Sequence, residues 1–224
     1  MPEATILFFV KAPVPGEVKT RLAEHIGKEG AAELYRVMAE DALAAIDASE
    51  LSSEIHFSPA DAGKKIADWL GSGRLYVPQS GADLGERMAH AFRHAYRFGA
   101  GRAVLAGSDI PELSPGHFKS ALQALANHDA VLAPAGDGGY TLIGFTSAGF
   151  APEAFSGIEW SGPAVLKDTL KVLSVNSKSW SLMADLPDMD DLEDLRKFYE
   201  RGFSRPSKTL QWLHENREKI FKYD

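Results

Sequence analysis

The chain of 224 residues contains no cysteine. Thiol nucleophiles, zinc knuckles, iron–sulfur ligation and disulfide staples are thereby excluded, and stability must rest on a packed core. Long hydrophobic runs are missing too. Ile6 to Val10 is too short for a signal peptide or a membrane span, which makes the cytoplasm the expected location. Internal repeats, low-complexity tracts and long Pro/Gly/Ser linkers do not occur, so a single domain is expected over residues 1–224, with a helical tail from about 204. Positive charge is in short supply. Lys and Arg number 24 against 31 Asp and Glu, a net charge of −7 that repels phosphate backbones and excludes nucleic acid as a general partner. The seven histidines show no metal-ligand spacing, and His90 and His94 lie on a predicted helix without a third ligand. Neither the P-loop pattern nor a three-glycine dinucleotide fingerprint is found.

What is present is a hydrophobic content of 45%, enough for one sizeable core. Short β-rich runs at 6–10, 54–57, 75–77, 103–106 and 130–133 alternate with longer helical segments, the order of a mostly parallel α/β sheet. Ala31, Leu34, Tyr35, Met38, Ala42, Ala45 and Ile46 recur at steps of three and four, the stripe that a helix buries against a sheet. Further helices are predicted at 60–70, 83–98, 115–127, 163–173 and 191–202. The run 140–145 follows 130–133 after a loop too short for a crossover helix, so it should pair antiparallel or turn away, and the sheet is mixed. The tail carries Leu210, Leu213, Ile220 and Phe221 between charges, as a terminal helix packed on the body would, with pairing of two copies through it left open.

Chemistry-bearing residues gather after the strands, where ligands bind in open α/β sheets. The first strand runs into Lys11, Lys19 and Arg21, with Gly16 free to let the backbone approach an anion. Three cations so close together in an acidic chain mark a local phosphate site, although a solvated loop would look similar. Six carboxylates and no cation lie between Asp185 and Asp194, and they account for nearly all of the net charge. Asp191, Glu193 and Asp194 suit the start of the following helix, whereas Asp188 and Asp190 precede it. Asp109, in Gly107-Ser-Asp-Ile-Pro111 after the fourth strand, is the first choice for a metal ligand; otherwise it closes an Asx-turn. Gly81, Asp83 and Gly85 open a helix whose free N–H groups could meet a base or phosphate, and Asp83 with Glu86 equally fits a capping box. In the loop Pro134–Tyr140, Gly138 and Gly139 permit close approach, Asp137 could accept a hydroxyl proton, and Tyr140 could stack on a sugar face.

As a set, Lys11-Ala-Pro-Val-Pro-Gly-Glu-Val-Lys-Thr-Arg-Leu22, Asp83-Leu-Gly-Glu-Arg87, Gly107-Ser-Asp-Ile-Pro111, Asp137-Gly-Gly-Tyr140, Ile158-Glu-Trp-Ser161 and Asp188-Met-Asp-Asp-Leu-Glu-Asp-Leu195 resemble a bacterial glycosyltransferase-A-like family. Its members are described as nucleotide-diphospho-sugar transferases, some assigned to arsenosugar biosynthesis. Phospholactate guanylyltransferases and molybdenum-cofactor nucleotidyltransferases are similar at greater distance. The resemblance spans about residues 5 to 200 and implies a Rossmann-like nucleotide-binding fold. It implies Lys11, Pro13, Gly16, Lys19 and Arg21 at the nucleotide phosphates, Gly81, Asp83 and Gly85 near the base, and Asp109 with Asp190 on Mg2+ or Mn2+. Asp137, Gly138, Gly139, Tyr140 and Trp160 fall on the acceptor side. Two departures stand out: Asp191-Leu192 replaces the usual Thr-Pro, and Gly107 replaces the first Asp of an Asp-x-Asp metal motif. The implied reaction is glycosyl transfer from a nucleotide sugar to a small-molecule acceptor, assisted by Lys19, Arg21 and Asp137. Nucleotidyl transfer with pyrophosphate release, or a nucleotide-binding regulatory module without turnover, are the alternatives.

Overall fold

The computed structural model describes residues 3–160, 162–202 and 206–221. Seven strands form one sheet: β1 (Ala4–Lys11), β2 (Ser52–Ser58), β3 (Leu75–Pro78), β4 (Arg102–Ala106), β5 (Ala130–Pro134), β6 (Tyr140–Thr146) and β7 (Trp180–Leu182). Their spatial order is β3-β2-β1-β4-β6-β5-β7. β6 runs against its neighbours β4 and β5, while the other pairings are parallel, so the sheet is mixed and mostly parallel as expected. The short β5–β6 loop has room only for a reversal, which is why β6 returns antiparallel.

Alternation along β1 divides the interior. Ile6, Phe8 and Val10 face one apolar layer and Leu7 and Phe9 the other. The first layer is covered by α1 (Thr20–Asp47), α2 (Gly63–Leu70), α4 (Pro115–Ala124), α6 (Leu192–Arg201) and α7 (Lys208–Ile220). The second is covered by α3 (Leu84–Arg97) and α5 (Val165–Val175), with Phe92, Phe145 and Phe155 at its centre. All seven residues of the predicted stripe in α1 are buried. The helix nevertheless begins eleven residues before that stripe, because Gly27, at φ 78°, kinks a short first segment onto the main one. β7 escapes the sequence pattern altogether. At three residues it is too short to show alternation, and it is held beside β5 through Asp129, which accepts from the Ser179 backbone N–H at 2.8 Å. In the tail, α7 packs on α1, as its apolar spacing predicts.

Candidate functional site

The carboxyl ends of β1, β4, β5 and β7 point the same way, and their following loops converge there. After β1, Val18 and Leu22 are buried and anchor the loop on both sides of Lys19. Lys19 itself takes a left-handed backbone, φ 46° and ψ 49°, unusual for a residue with a Cβ. This conformation turns its side chain inward, where the ammonium meets Asp109 Oδ2 at 2.8 Å and Asp190 Oδ1 at 2.6 Å. Burial alone would lower the lysine pKa, but the two carboxylates prevail and hold it above its ordinary value.

Two backbone contacts explain how residues so distant in sequence meet. The Leu186 N–H donates to Pro134 O at 2.9 Å and the Met189 N–H to Asp109 O at 3.2 Å, stitching the segment after β7 onto the ends of β5 and β4. Asp191 then caps α6, accepting from Asp194 N at 3.0 Å, while Asp194 accepts in return from Asp190 N and Asp191 N. Asp191 thus does the work of the usual Thr-Pro start, and Asp190 keeps its place beside Asp109.

Asp109, Asp188 and Asp190 each bring a carboxylate oxygen within 4.8 Å of the others. Asp188 is the surprise of this group, since its neighbour Asp190 was the residue expected to face the site. Burial, then repulsion from Asp109 and Asp190, pushes its pKa up to about 7, and the Asp137 carboxylate adds to the effect. For Asp109 burial works in the same upward direction, yet Lys19 prevails and keeps its carboxyl below the ordinary range. Gly107 brings no carboxylate of its own, and a Cβ there would lie 2.9 Å from Asp109 Oδ1, so the Asp109 carboxylate would have to shift to admit one. Behind the site, the Tyr35 hydroxyl accepts from the Lys11 N–H and pairs with Ser108 Oγ, both at 2.7 Å, and burial pushes its pKa up to about 12.

The cluster opens into a cleft of about 660 Å3 lined by Lys11, Lys19, Arg21, Arg87, Asp109 and Asp190 among others. Arg21 is 74% exposed and only 3.8 Å from Asp190 Oδ2, so it is free to meet a ligand. Arg87 was not singled out as a ligand-binding residue; its position one turn into α3 is the signal that could have found it. Pro13 and Gly16 belong to the same loop without lining the cleft, and Gly16 takes φ 85°. Asp83 caps α3 by accepting from Glu86 N at 2.8 Å, and Glu86 accepts from Ala82 N, so the capping reading of these acids holds. Gly81 and Gly85 flank the cap, and between Asp83 and Arg87 the cleft is lined by Leu84.

The residues expected on the acceptor side are divided. Asp137 is exposed and closes an Asx-turn, accepting from Gly139 N at 2.9 Å. Gly138 takes φ 92° with Pro163 O only 2.1 Å from where a Cβ would stand, so its role is close packing. Tyr140 does not line the cleft. Its ring meets Trp160 edge-on, and the Tyr140 hydroxyl, the Trp160 Nε1 and the Thr169 hydroxyl are all buried without a well-formed hydrogen bond. The physical reason is the apolar layer around Phe155, which takes in both rings. Beside Asp188 a smaller cavity of about 150 Å3 is bounded by Gly136, Pro187 and Phe198.

Comparison with known proteins bears on this arrangement. A bacterial family described as "uncharacterized protein conserved in bacteria (DUF2064)" matches residues 42–162. The chain belongs to this family. A crystal structure of a candidate nucleotide-diphospho-sugar transferase from Desulfovibrio desulfuricans G20 is 40% identical to this DUF2064 chain, with coverage of 100% of this chain and 99% of that one and a TM-score of 0.95. A cytidylyltransferase from Leptospira borgpetersenii is similar at 15% identity, 98% and 97% coverage and a TM-score of 0.56. Rv0371c from Mycobacterium tuberculosis, in complex with manganese, is similar at 13% identity, 89% and 100% coverage and a TM-score of 0.56. The last two likenesses show a shared Rossmann-like α/β fold. No curated protein matches the chain. No helix among the described residues is long and apolar enough to cross a membrane.

Proposed function

We propose that this chain is a divalent-metal-dependent transferase that draws on a nucleotide-activated donor, and that its reaction is glycosyl transfer from a nucleotide-diphospho-sugar. The observation that carries the reading is the convergence of Asp109, Asp188 and Asp190 around Lys19 at the floor of a cation-rimmed cleft. The identity of 40% over the whole chain to a candidate nucleotide-diphospho-sugar transferase supports the donor class.

The three aspartates fit a metal. Their donors are all oxygen, and a hard divalent cation such as Mg2+ or Mn2+ would offset both the burial and the mutual repulsion that raise Asp188. When bound, such a cation neutralises charge on the donor diphosphate. Lys11, Arg21 and Arg87 supply donors for the phosphate oxygens from the rim, Arg21 with its planar fork. Lys19 holds Asp109 and Asp190 at a fixed separation and adds positive charge where the leaving phosphate becomes more negative. The nucleotide base is assigned to the side of the cleft lined by Leu84, next to Gly81, Asp83 and Gly85. The acceptor enters beside Asp188 through the smaller cavity, and Asp137 takes its hydroxyl proton.

Nucleotidyl transfer is retained as a second reading because Gly107 stands where sugar transferases of this fold carry the first Asp of Asp-x-Asp. The experiment is incubation with panels of nucleotide sugars and nucleoside triphosphates plus Mn2+, followed by phosphorus NMR. Release of a nucleoside diphosphate is expected; pyrophosphate together with a phosphorylated acceptor would decide for the second reading. Arg21→Ala should weaken nucleotide binding by about tenfold or more without lowering Tm, because the side chain is exposed and charge-assisted contacts to phosphate are strong. Unchanged affinity by calorimetry would remove Arg21 from the phosphate site.

A further inference from the structure

A second cluster of metal-ligating side chains lies away from the aspartates. Glu54 and His56 sit two residues apart on β2, hence on one face of the sheet, and that face is covered by α3, whose second half supplies His94. One carboxylate oxygen, Glu54 Oε2, is 2.9 Å from His56 Nε2 and 2.9 Å from His94 Nδ1. The three ligand atoms lie within 4.8 Å of one another. The Glu54 and His56 side chains are 7% and 2% exposed, and His94 is 28% exposed, so the cluster is buried on two sides and open on the third. The Phe9 ring flanks His56, with centroids 5.6 Å apart, and the Phe98 ring flanks His94 at 4.7 Å.

We propose that Glu54, His56 and His94 form a zinc site, with water completing a tetrahedral shell on the exposed edge of His94. Two imidazole nitrogens and one carboxylate oxygen are a borderline-soft donor set suited to Zn2+, chemically unlike the all-oxygen aspartate cluster that suits Mg2+ or Mn2+. Tetrahedral ligands of zinc stand about 3.3 Å apart. The two Glu54 contacts would open by a few tenths of an ångström, and the two ring nitrogens, within 4.8 Å of each other, would turn to the same spacing. Binding needs no redox partner: the ring nitrogen that meets the ion gives up its proton, to the other ring nitrogen or to solvent, and turns the freed lone pair on the metal. A bound ion fastens α3 to β2. The effect extends to the cleft, since the His56 carbonyl accepts from Gln79 Nε2 at 2.9 Å and both Gln79 and Phe9 line the cleft wall.

The test is titration of the chelator-treated full chain with Co2+, a spectroscopic stand-in for Zn2+, together with thermal unfolding in Zn2+ and in Mg2+. One equivalent of Co2+ is expected to give the intense visible bands of a four-coordinate site, lost on adding Zn2+. Zn2+ should raise Tm by several degrees, because an ion that binds only the native state stabilises it. His94→Ala should abolish both effects; His94→Gln repeats the test with a side chain that still donates to Glu54, in case the alanine variant fails to fold. Asp109→Asn should leave the bands intact, as should His90→Ala, which removes an exposed histidine one helical turn away. Absence of the bands from the native chain, or their survival in both His94 variants, would overturn the assignment. Loss in His90→Ala would also overturn it in favour of a surface helix chelate, and loss in Asp109→Asn in favour of the aspartate site.

Discussion

Lys19 combines a left-handed backbone with a nearly buried charge. That backbone costs roughly 1 kcal/mol for a residue with a Cβ, and the two ion pairs it makes with Asp109 and Asp190 offset the cost. Because the ammonium stands between the same carboxylates that would hold a divalent ion, lysine and metal compete for them. Lys19→Met should lower the Tm of the cation-free chain by several degrees and enlarge the Tm gain on adding Mn2+ relative to the native chain. Equal gains in scanning fluorimetry would separate the lysine from the metal site. Asp188 gives the converse case. Its folded pKa, about 7, lies above its unfolded value of 3.8, so the folded chain holds a proton that the unfolded chain releases. The resulting penalty is absent below about pH 4, grows from there to pH 7 and is level above. Asp188→Asn should therefore stabilise the metal-free chain by about 1–3 kcal/mol at pH 8 and hardly at all at pH 4. A gain independent of pH in denaturant titrations would show that the raised pKa of Asp188 is not its source.

Two short elements position the site. The first turn of α6 is closed by the reciprocal Asp191–Asp194 cap, which also ties down the Asp190 N–H, so the helix start itself orients a candidate metal ligand. The first turn of α3 depends on glycine. A Cβ at Gly85 would fall 2.4 Å from Phe155 O and 2.6 Å from Trp160 Cζ2, distances no side chain tolerates. Gly85→Ala must push α3 off the Trp160 segment, at a cost of about 1–3 kcal/mol, and move Leu84 and Arg87 at the cleft rim. Both a lower Tm and weaker nucleotide binding are expected. A Tm equal to that of the native chain would mean that the two segments separate freely.

Across the whole molecule, the site lies at the carboxyl ends of the central strands β1 and β4, while the C-terminal helix is fastened to α1. Asp41 on α1, 8% exposed, accepts from Ser207 Oγ at 2.8 Å and from the Lys208 and Thr209 N–H groups at 2.9 Å each. A carboxylate satisfied by three donors at a helix start is a strong cap. Asp41→Ala leaves those donors without it and should lower stability by about 2–3 kcal/mol, with cleavage in limited proteolysis moving to the segment before α7. Since α7 contributes no residue to the cleft, nucleotide affinity should stay unchanged. Retention of native protease resistance would show that apolar contacts alone hold the helix.

Much of this arrangement is legible from local pattern. Alternating short apolar runs and the α1 stripe define an α/β sheet because side-chain period follows directly from backbone geometry, and the reversal of β6 follows from the length of one loop. Asp109 was visible as a candidate because a residue directly after a strand of an open sheet has few places to point, Lys19 as one of three cations in an acidic chain, and Asp190 through the family resemblance of its motif. Other features have no local signature. The role of Asp188 depends on the Met189–Asp109 and Leu186–Pro134 hydrogen bonds, which fold one loop onto two strand ends. Tyr140 read as a ligand platform in the chain, and only the fold shows that its ring and that of Trp160 pack, partly buried, against the apolar layer around Phe155. The clearest case is histidine. His94 pairs in sequence with His90, four residues away, but in space with His56 and Glu54, because strand-to-helix packing, and no spacing along the chain, sets which side chains share an atom-scale neighbourhood.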